Sequence, residues 1–247
     1  MEQKIRVGAV SYLNTKPLVY GFEKGLLNDQ IELLADYPAK IAAMLLNDEI
    51  DIGLIPVAVI PQMKEHYIIS DYCIGASQAV ASVCMFSDVA LHEIKEVLVD
   101  YQSRTSAALL KILLKHFWKI SPVLIDTSNG YQQNIKGTTA GLIIGDRALK
   151  QRPHAVYIFD LAEAWQQMTG LPFVFAAWVA NKKLPEDFIA DFNNASYIGL
   201  QHINEIVASV NFKEYDLYQY YTRNIDYQLD EKKKEALTLF LKYLKEG

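Results

Sequence analysis

The chain has 247 residues, of which 51% are apolar and 21% charged, with a formal net charge of −5 at pH 7. These proportions suit one large globular domain or two lobes around a real core, and they exclude a disordered chain. The acidic balance, without a basic run or an RNA-reading motif, argues against a nucleic-acid binder. No apolar stretch approaches the roughly 18 residues of a membrane span, so no membrane partner is expected.

The start, MEQKIRVGAV, has no long apolar region and no small-residue cleavage site, so no secretory signal is expected and a cytoplasmic location is. Cys73 and Cys84 stand in apolar surroundings without metal-type spacing and are expected as buried, reduced thiols. The five histidines are scattered and form no ligand pair, so no metal site is expected.

Strand and helix signals alternate along the chain. Residues 5–10 are apolar and partly β-branched, as in a buried strand. From Pro17 the spacing of Leu18, Tyr20 and Phe22, closed by Gly25, predicts a short helix with Thr15 as its N-cap. Ser11 to Thr15 then forms the turn at the carboxyl edge of the first strand, where open α/β sheets bind their ligands. A polar turn that merely caps a helix would look the same.

Strands follow over 31–35 and 50–55, around a helix that Pro38 begins and that runs to Leu46. Residues 80–86 and 97–99 are strand-like, and the second run leads into DYQSRTSAALLKILLKHF. There Leu109, Leu110, Leu113 and Leu114 set a helical stripe entered through residues 103–106. Strands over 123–125 and 141–144 precede a helix opened by GDRAL. Strands over 155–159 and 173–179 flank DLAEAWQQMTG, a helix ended by Gly170, and from Pro185 the pattern is almost wholly helical.

This alternation means an α/β fold. The chain is expected to cross between two lobes near residues 86–97 and to return near 175–185. One lobe would hold residues 1–90 plus 180–247, the other 91–179, with a ligand cleft between them. A single doubly wound sheet would show similar signals.

Three polar turns combine small hydroxyl or amide side chains with available backbone N–H groups: Ser11 to Thr15, the GASQAVASV segment with Ser77 and Ser82, and SRTS at 103–106. A helix N-terminus carries unpaired N–H groups and the positive end of a dipole, so it can hold a carboxylate without a lysine. The hydroxyls of Ser103, Thr105 and Ser106 would add donors, although a plain helix cap also fits SRTS. In LIIGDRAL, Gly145 and Asp146 read either as a helix start or as an acceptor facing a substrate hydroxyl. Arg104 and Arg147 follow their turns and would pair with a ligand carboxylate or with a neighbouring acid. There is no G-x-S-x-G elbow, P-loop or G-x-G-x-x-G, and none of the histidines is placed as a general base. The residues alone describe a binder of a small anion, catalytic or not.

The strings SYLNTKPL, DIGLIPVAV, VASVCMFS, SRTSAALLKILL, LIIGDRAL, DLAEAWQQMTGLPFVFAAW and YTRNIDYQLDEKKKEALTLF occur in that order. Together they resemble the chorismate dehydratase family of the futalosine route to menaquinone, from about residue 5 to the C-terminus. The resemblance implies a two-lobed α/β fold like that of the type II periplasmic binding proteins. It also implies a cytoplasmic hydro-lyase without metal or cofactor, which converts chorismate to 3-[(1-carboxyvinyl)oxy]benzoate and water. Asn14 and Ser82 are then the central polar residues of the active site. Ser11, Thr15, Ser103, Arg104, Thr105, Ser106, Gly145 and Asp146 are the candidates for holding the substrate.

The related 1,4-dihydroxy-6-naphthoate synthase family is similar in fold, but carries a Ser-Pro-Cys-Pro-Asn-Asp type of turn and a histidine base. The turn here is Ser11-Tyr12-Leu13-Asn14-Thr15, which favours the dehydratase. A non-catalytic solute-binding protein shares the fold as well, and the absent signal weighs against it. Gln78-Ala79 stands where many relatives resemble a Gly-containing pair, which leaves the shape of that loop open.

Overall fold

A computed structural model describes residues 4–246. Two sheets carry the architecture. The first takes the order β11-β4-β10-β3-β1-β2 and the second β7-β6-β8-β5-β9. The first sheet is built from β1 (Ile5–Val10), β2 (Ile31–Asp36), β3 (Ile52–Pro56), β4 (Tyr67–Ala76), β10 (Phe173–Ala180) and β11 (Asp226–Gln228). The second holds β5 (Val83–Ser87), β6 (Glu96–Val99), β7 (Val123–Asp126), β8 (Thr139–Ile144) and β9 (Tyr157–Asp160).

In the first sheet β1 runs parallel to β2 and β3, and β10 lies antiparallel between β3 and β4. In the second, β6 is parallel to β7 and β8, while β5 is antiparallel to β8 and β9. Buried central strands of this kind read as near-continuous apolar runs, and IGLIP of β3 and VCMFS of β5 are buried throughout.

Sheet membership shifts the lobes relative to the sequence expectation. The chain changes sheet between β4 and β5, over 77–82, and returns between α5 (Leu161–Thr169) and β10, over 170–172. The expected division into 1–90 plus 180–247 against 91–179 put β5 in the first lobe and β10 in the second. An apolar run shows that a strand is buried but not which sheet it joins, and both strands pair with segments distant in sequence.

Local chemistry explains the elements around the strand ends. α2 (Pro38–Leu46) begins at its proline and ends where the spacing requires. α3 (Arg104–Leu113) is capped by Ser103, whose Oγ accepts from the Ser106 amide at 3.2 Å. Thr15 stands at the N-cap position of α1 (Lys16–Glu23), as expected, but its side chain makes no capping hydrogen bond. A 3-10 turn over Leu13–Thr15 already starts the helix, and the Thr15 amide donates to the Tyr12 carbonyl at 3.1 Å. Its hydroxyl is left to reach Asn14 Oδ1 at 3.3 Å.

Behind this turn, α6 (Glu186–Gln201) lies directly on α1. A Cβ at Gly199 would come within 1.8 Å of the Pro17 carbonyl oxygen, so only glycine allows that approach. The connection past α4 (Asp146–Gln151) and, after α6, through α7 (Ile203–Ser209), α8 (Leu217–Gln219) and a π-turn at Tyr220–Asn224 leads to β11 and α9 (Glu231–Glu246). Phe240 of α9 meets Trp165 of α5 edge-on, so the C-terminal helix braces the region where the chain changes sheet. Cys73 and Cys84 are buried and unpaired, and burial pushes both thiols up. Among the described residues no helix is long and apolar enough to cross a membrane.

Candidate active site

The carboxyl ends of the parallel strands converge on one cleft, the place where open α/β sheets bind ligands. Val10 ends β1, Pro56 ends β3 and Ile144 ends β8, and all three line a cavity between the sheets with an empty volume of about 500 Å³, open mouth included. Its apolar wall includes Ile74, Val80 and Phe175, and its polar wall is Tyr12, Asn14, Thr15, Ser82, Ser103 and Ser106, with Gly145 beside them.

Most of the residues singled out in the sequence therefore meet here, from both lobes. Of the ten named site candidates, four do not line the cavity. Ser11 and Arg104 are exposed, and Arg104 Nη1 donates to Gln62 Oε1 at 3.4 Å. Thr105 is buried and its Oγ1 accepts from the Ala58 amide at 3.2 Å. Asp146 Oδ1 accepts from the Leu13 amide at 3.0 Å. Thr105 and Asp146 thus tie one lobe to the other.

Ser82 sits in a firmly built frame. Ala81 before it has φ of +64°, a left-handed conformation that costs a residue with a side chain of order 1–3 kcal/mol. The carboxylate of Asp160, itself buried, holds that bend by accepting from the Val80 and Ala81 amides at 3.1 and 2.8 Å. Burial raises the Asp160 carboxyl against the lowering effect of these amides. Arg152 donates to the Ala81 carbonyl at 3.1 Å, and the Ser82 carbonyl accepts from the Gly145 amide at 2.7 Å. On the facing turn, the Asn14 carbonyl accepts from the Tyr227 hydroxyl at 2.9 Å.

Several residues that shape the site carried little signal in the sequence. Asp100, with a fully buried side chain, accepts from Arg147 Nη2 at 3.0 and 2.8 Å, from the Tyr131 hydroxyl at 2.8 Å and from the Ile144 amide at 3.2 Å. Arg147 therefore pairs with a neighbouring acid, the second of its two sequence readings. The same Arg147 nitrogen donates to Gln102 Oε1 at 2.8 Å, which also accepts from the Tyr12 hydroxyl. Tyr12 lies over Gly145, where a Cβ would stand 3.0 Å from two ring carbons.

Of the side chains that line the cavity, the only ionisable one is Tyr12. Burial pushes its hydroxyl up to about 12, so it is protonated at neutral pH. The cavity therefore offers hydroxyl and amide donors and the N-terminus of α3, without a carboxylate, imidazole or amine in its wall.

The chain is 27% identical to the chorismate dehydratase of Thermus thermophilus, an alignment covering 96% of this chain and 94% of that protein. It is 28% identical to the chorismate dehydratase of Campylobacter jejuni, over 96% of each. In structure it is similar to the Candida albicans CA3427 gene product, described as having the generic periplasmic binding protein fold, with a TM-score of 0.64. That likeness has 13% identity and covers 98% of this chain and 95% of the other. Residues 5–246 match the protein family described as menaquinone biosynthesis. With the two-sheet α/β architecture and the interlobe cavity, this match shows that the chain belongs to the menaquinone biosynthesis family.

Proposed function

We propose that this protein is a cytoplasmic chorismate dehydratase, which converts chorismate to 3-[(1-carboxyvinyl)oxy]benzoate and water. The observation that carries the reading is the cavity wall: donors for two carboxylates and a leaving hydroxyl, with no ionisable base among them. The two dehydratase relatives, similar over nearly their whole length, support the same substrate.

The chemistry asks for little more. The hydrogen at C3 of chorismate is allylic to the ring enoate, so its removal drives charge toward the ring carboxylate. The C4 hydroxyl then leaves, the C3–C4 double bond completes an aromatic ring, and hydroxide with the released proton makes water. Ser103, Ser106 and the start of α3 are suited to hold the ring carboxylate, where charge accumulates. Asn14 and Ser82 are suited to hold the C4 oxygen as it departs. With Tyr12 protonated and no other ionisable wall residue, the substrate's own enolpyruvyl carboxylate is the base in this proposal.

Steady-state assays with chorismate test it. The purified protein, exhaustively treated with chelator, is expected to release the aromatic product. Asn14→Ala is expected to lower turnover about 100-fold, the effect of removing one preorganised donor. Full turnover by a folded Asn14→Ala variant would contradict the role given to that residue.

A further inference from the structure

We infer that Tyr220 is a positioning residue for this reaction, which accepts no substrate contact itself but aims the Ser82 hydroxyl into the cavity. The inference rests on the dehydratase reading and adds to it a residue far from the strand ends. Tyr220 belongs to the π-turn near the C-terminus, is fully buried and does not line the cavity. Its hydroxyl lies 2.7 Å from Ser82 Oγ, across 138 residues of chain.

Two hydroxyls in contact share one hydrogen bond, so one donates and the other keeps its proton for another partner. A phenol is far more acidic than an alkanol and is the better donor, so Tyr220 donates and Ser82 Oγ accepts. Burial keeps Tyr220 protonated, which preserves that direction. Ser82 is held on its main-chain side by Gly145, and its Oγ is now occupied from the side of Tyr220. Its proton is left to point into the cavity that Ser82 lines, as a donor to the departing hydroxyl. The same C-terminal segment grips the loop before Ser82, since Asn224 Nδ2 donates to the Ala79 carbonyl at 2.9 Å. The Asn14 side chain also reaches the Tyr220 hydroxyl, so the phenol stands behind both central polar side chains without lining the cavity itself.

A double-mutant cycle on chorismate turnover tests the inference. Tyr220→Phe is expected to lower kcat about 10-fold, the worth of one buried hydrogen bond, with KM changed less than about twofold. Ser82→Ala is expected to lower kcat about 100-fold, and the double variant to lose clearly less than the two single losses multiplied. Tyr220→4-aminophenylalanine, which keeps a donor at the same place, is expected to recover most of the loss and covers the case in which phenylalanine disturbs folding. Multiplied losses in the double variant, or no recovery with the amino analogue, would overturn the inference while leaving an active dehydratase. A wild-type protein that leaves chorismate unchanged would overturn the dehydratase reading and this inference together.

Discussion

The Leu13 amide donates to Asp146 Oδ1 at 3.0 Å, joining the turn after β1 in one sheet to the helix start after β8 in the other. Two further bonds cross the same cleft, from the Ala58 amide to Thr105 Oγ1 and from the Tyr12 hydroxyl to Gln102. The walls of the cavity are therefore held together by groups of the protein itself, with Asn14 and Ser103 lining the same cavity.

Asp146→Ala removes one of these ties and leaves the Leu13 amide without its carboxylate acceptor. The variant is expected to raise KM about 10-fold and to alter kcat less, because closure is needed to bind. Small-angle scattering should show a larger radius for the unliganded variant than for the wild type. An unchanged KM with an unchanged radius would mean that the cleft stays shut without this bond.

Gly145 has φ of +63°, and a Cβ there would meet the Tyr12 ring at 3.0 Å. Gly145→Ala is expected to cost about 1–3 kcal/mol of stability through the backbone alone. It should also push Tyr12 off its place over the cavity, so turnover falls along with the melting temperature. A variant as stable as the wild type would show that the ring and backbone accommodate the methyl group together.

Much of this site was legible beforehand, and the reasons differ by residue. The turn after β1, the SRTS cap and the Gly145–Asp146 helix start are local signals, since a strand end, a cap or a positive φ is set by neighbours in sequence. α2 was expected over 38–46, as found, because proline and an apolar stripe mark its ends. β4 and β11 went unread: Ser70 and Asp71 interrupt the apolar run of β4, and β11 is three residues long. The partners of Ser82 were invisible for another reason. Tyr220 reaches it, and Asp160 reaches the two amides before it, only because segments distant in sequence fold back onto one loop. Arg147 was expected to pair with a ligand carboxylate or a neighbouring acid, but nothing local in the sequence pointed to Asp100 as that acid.

The absence of an ionisable base from the cavity wall sets the pH dependence. Tyr12 is the one ionisable lining group, and its folded-state value of about 12 lies above the ordinary 10, so it loses its proton only in strong alkali. The enolpyruvyl carboxylate of the substrate is ionised from mildly acid pH upward. kcat/KM is accordingly expected to stay level from about pH 6 to 9, with no limb from a side chain that lines the cavity. A bell-shaped profile with an apparent value near 7 would instead place a histidine or a perturbed carboxylate in the chemistry.

The most direct test of the central claim is proton NMR of chorismate mixed with the purified protein. The account predicts that the ring olefinic, C3 and C4 signals disappear together and aromatic signals replace them, while the two vinyl protons of the enolpyruvyl group persist in the product. Chorismate that remains unchanged, or that loses its enolpyruvyl group as free pyruvate, would contradict it.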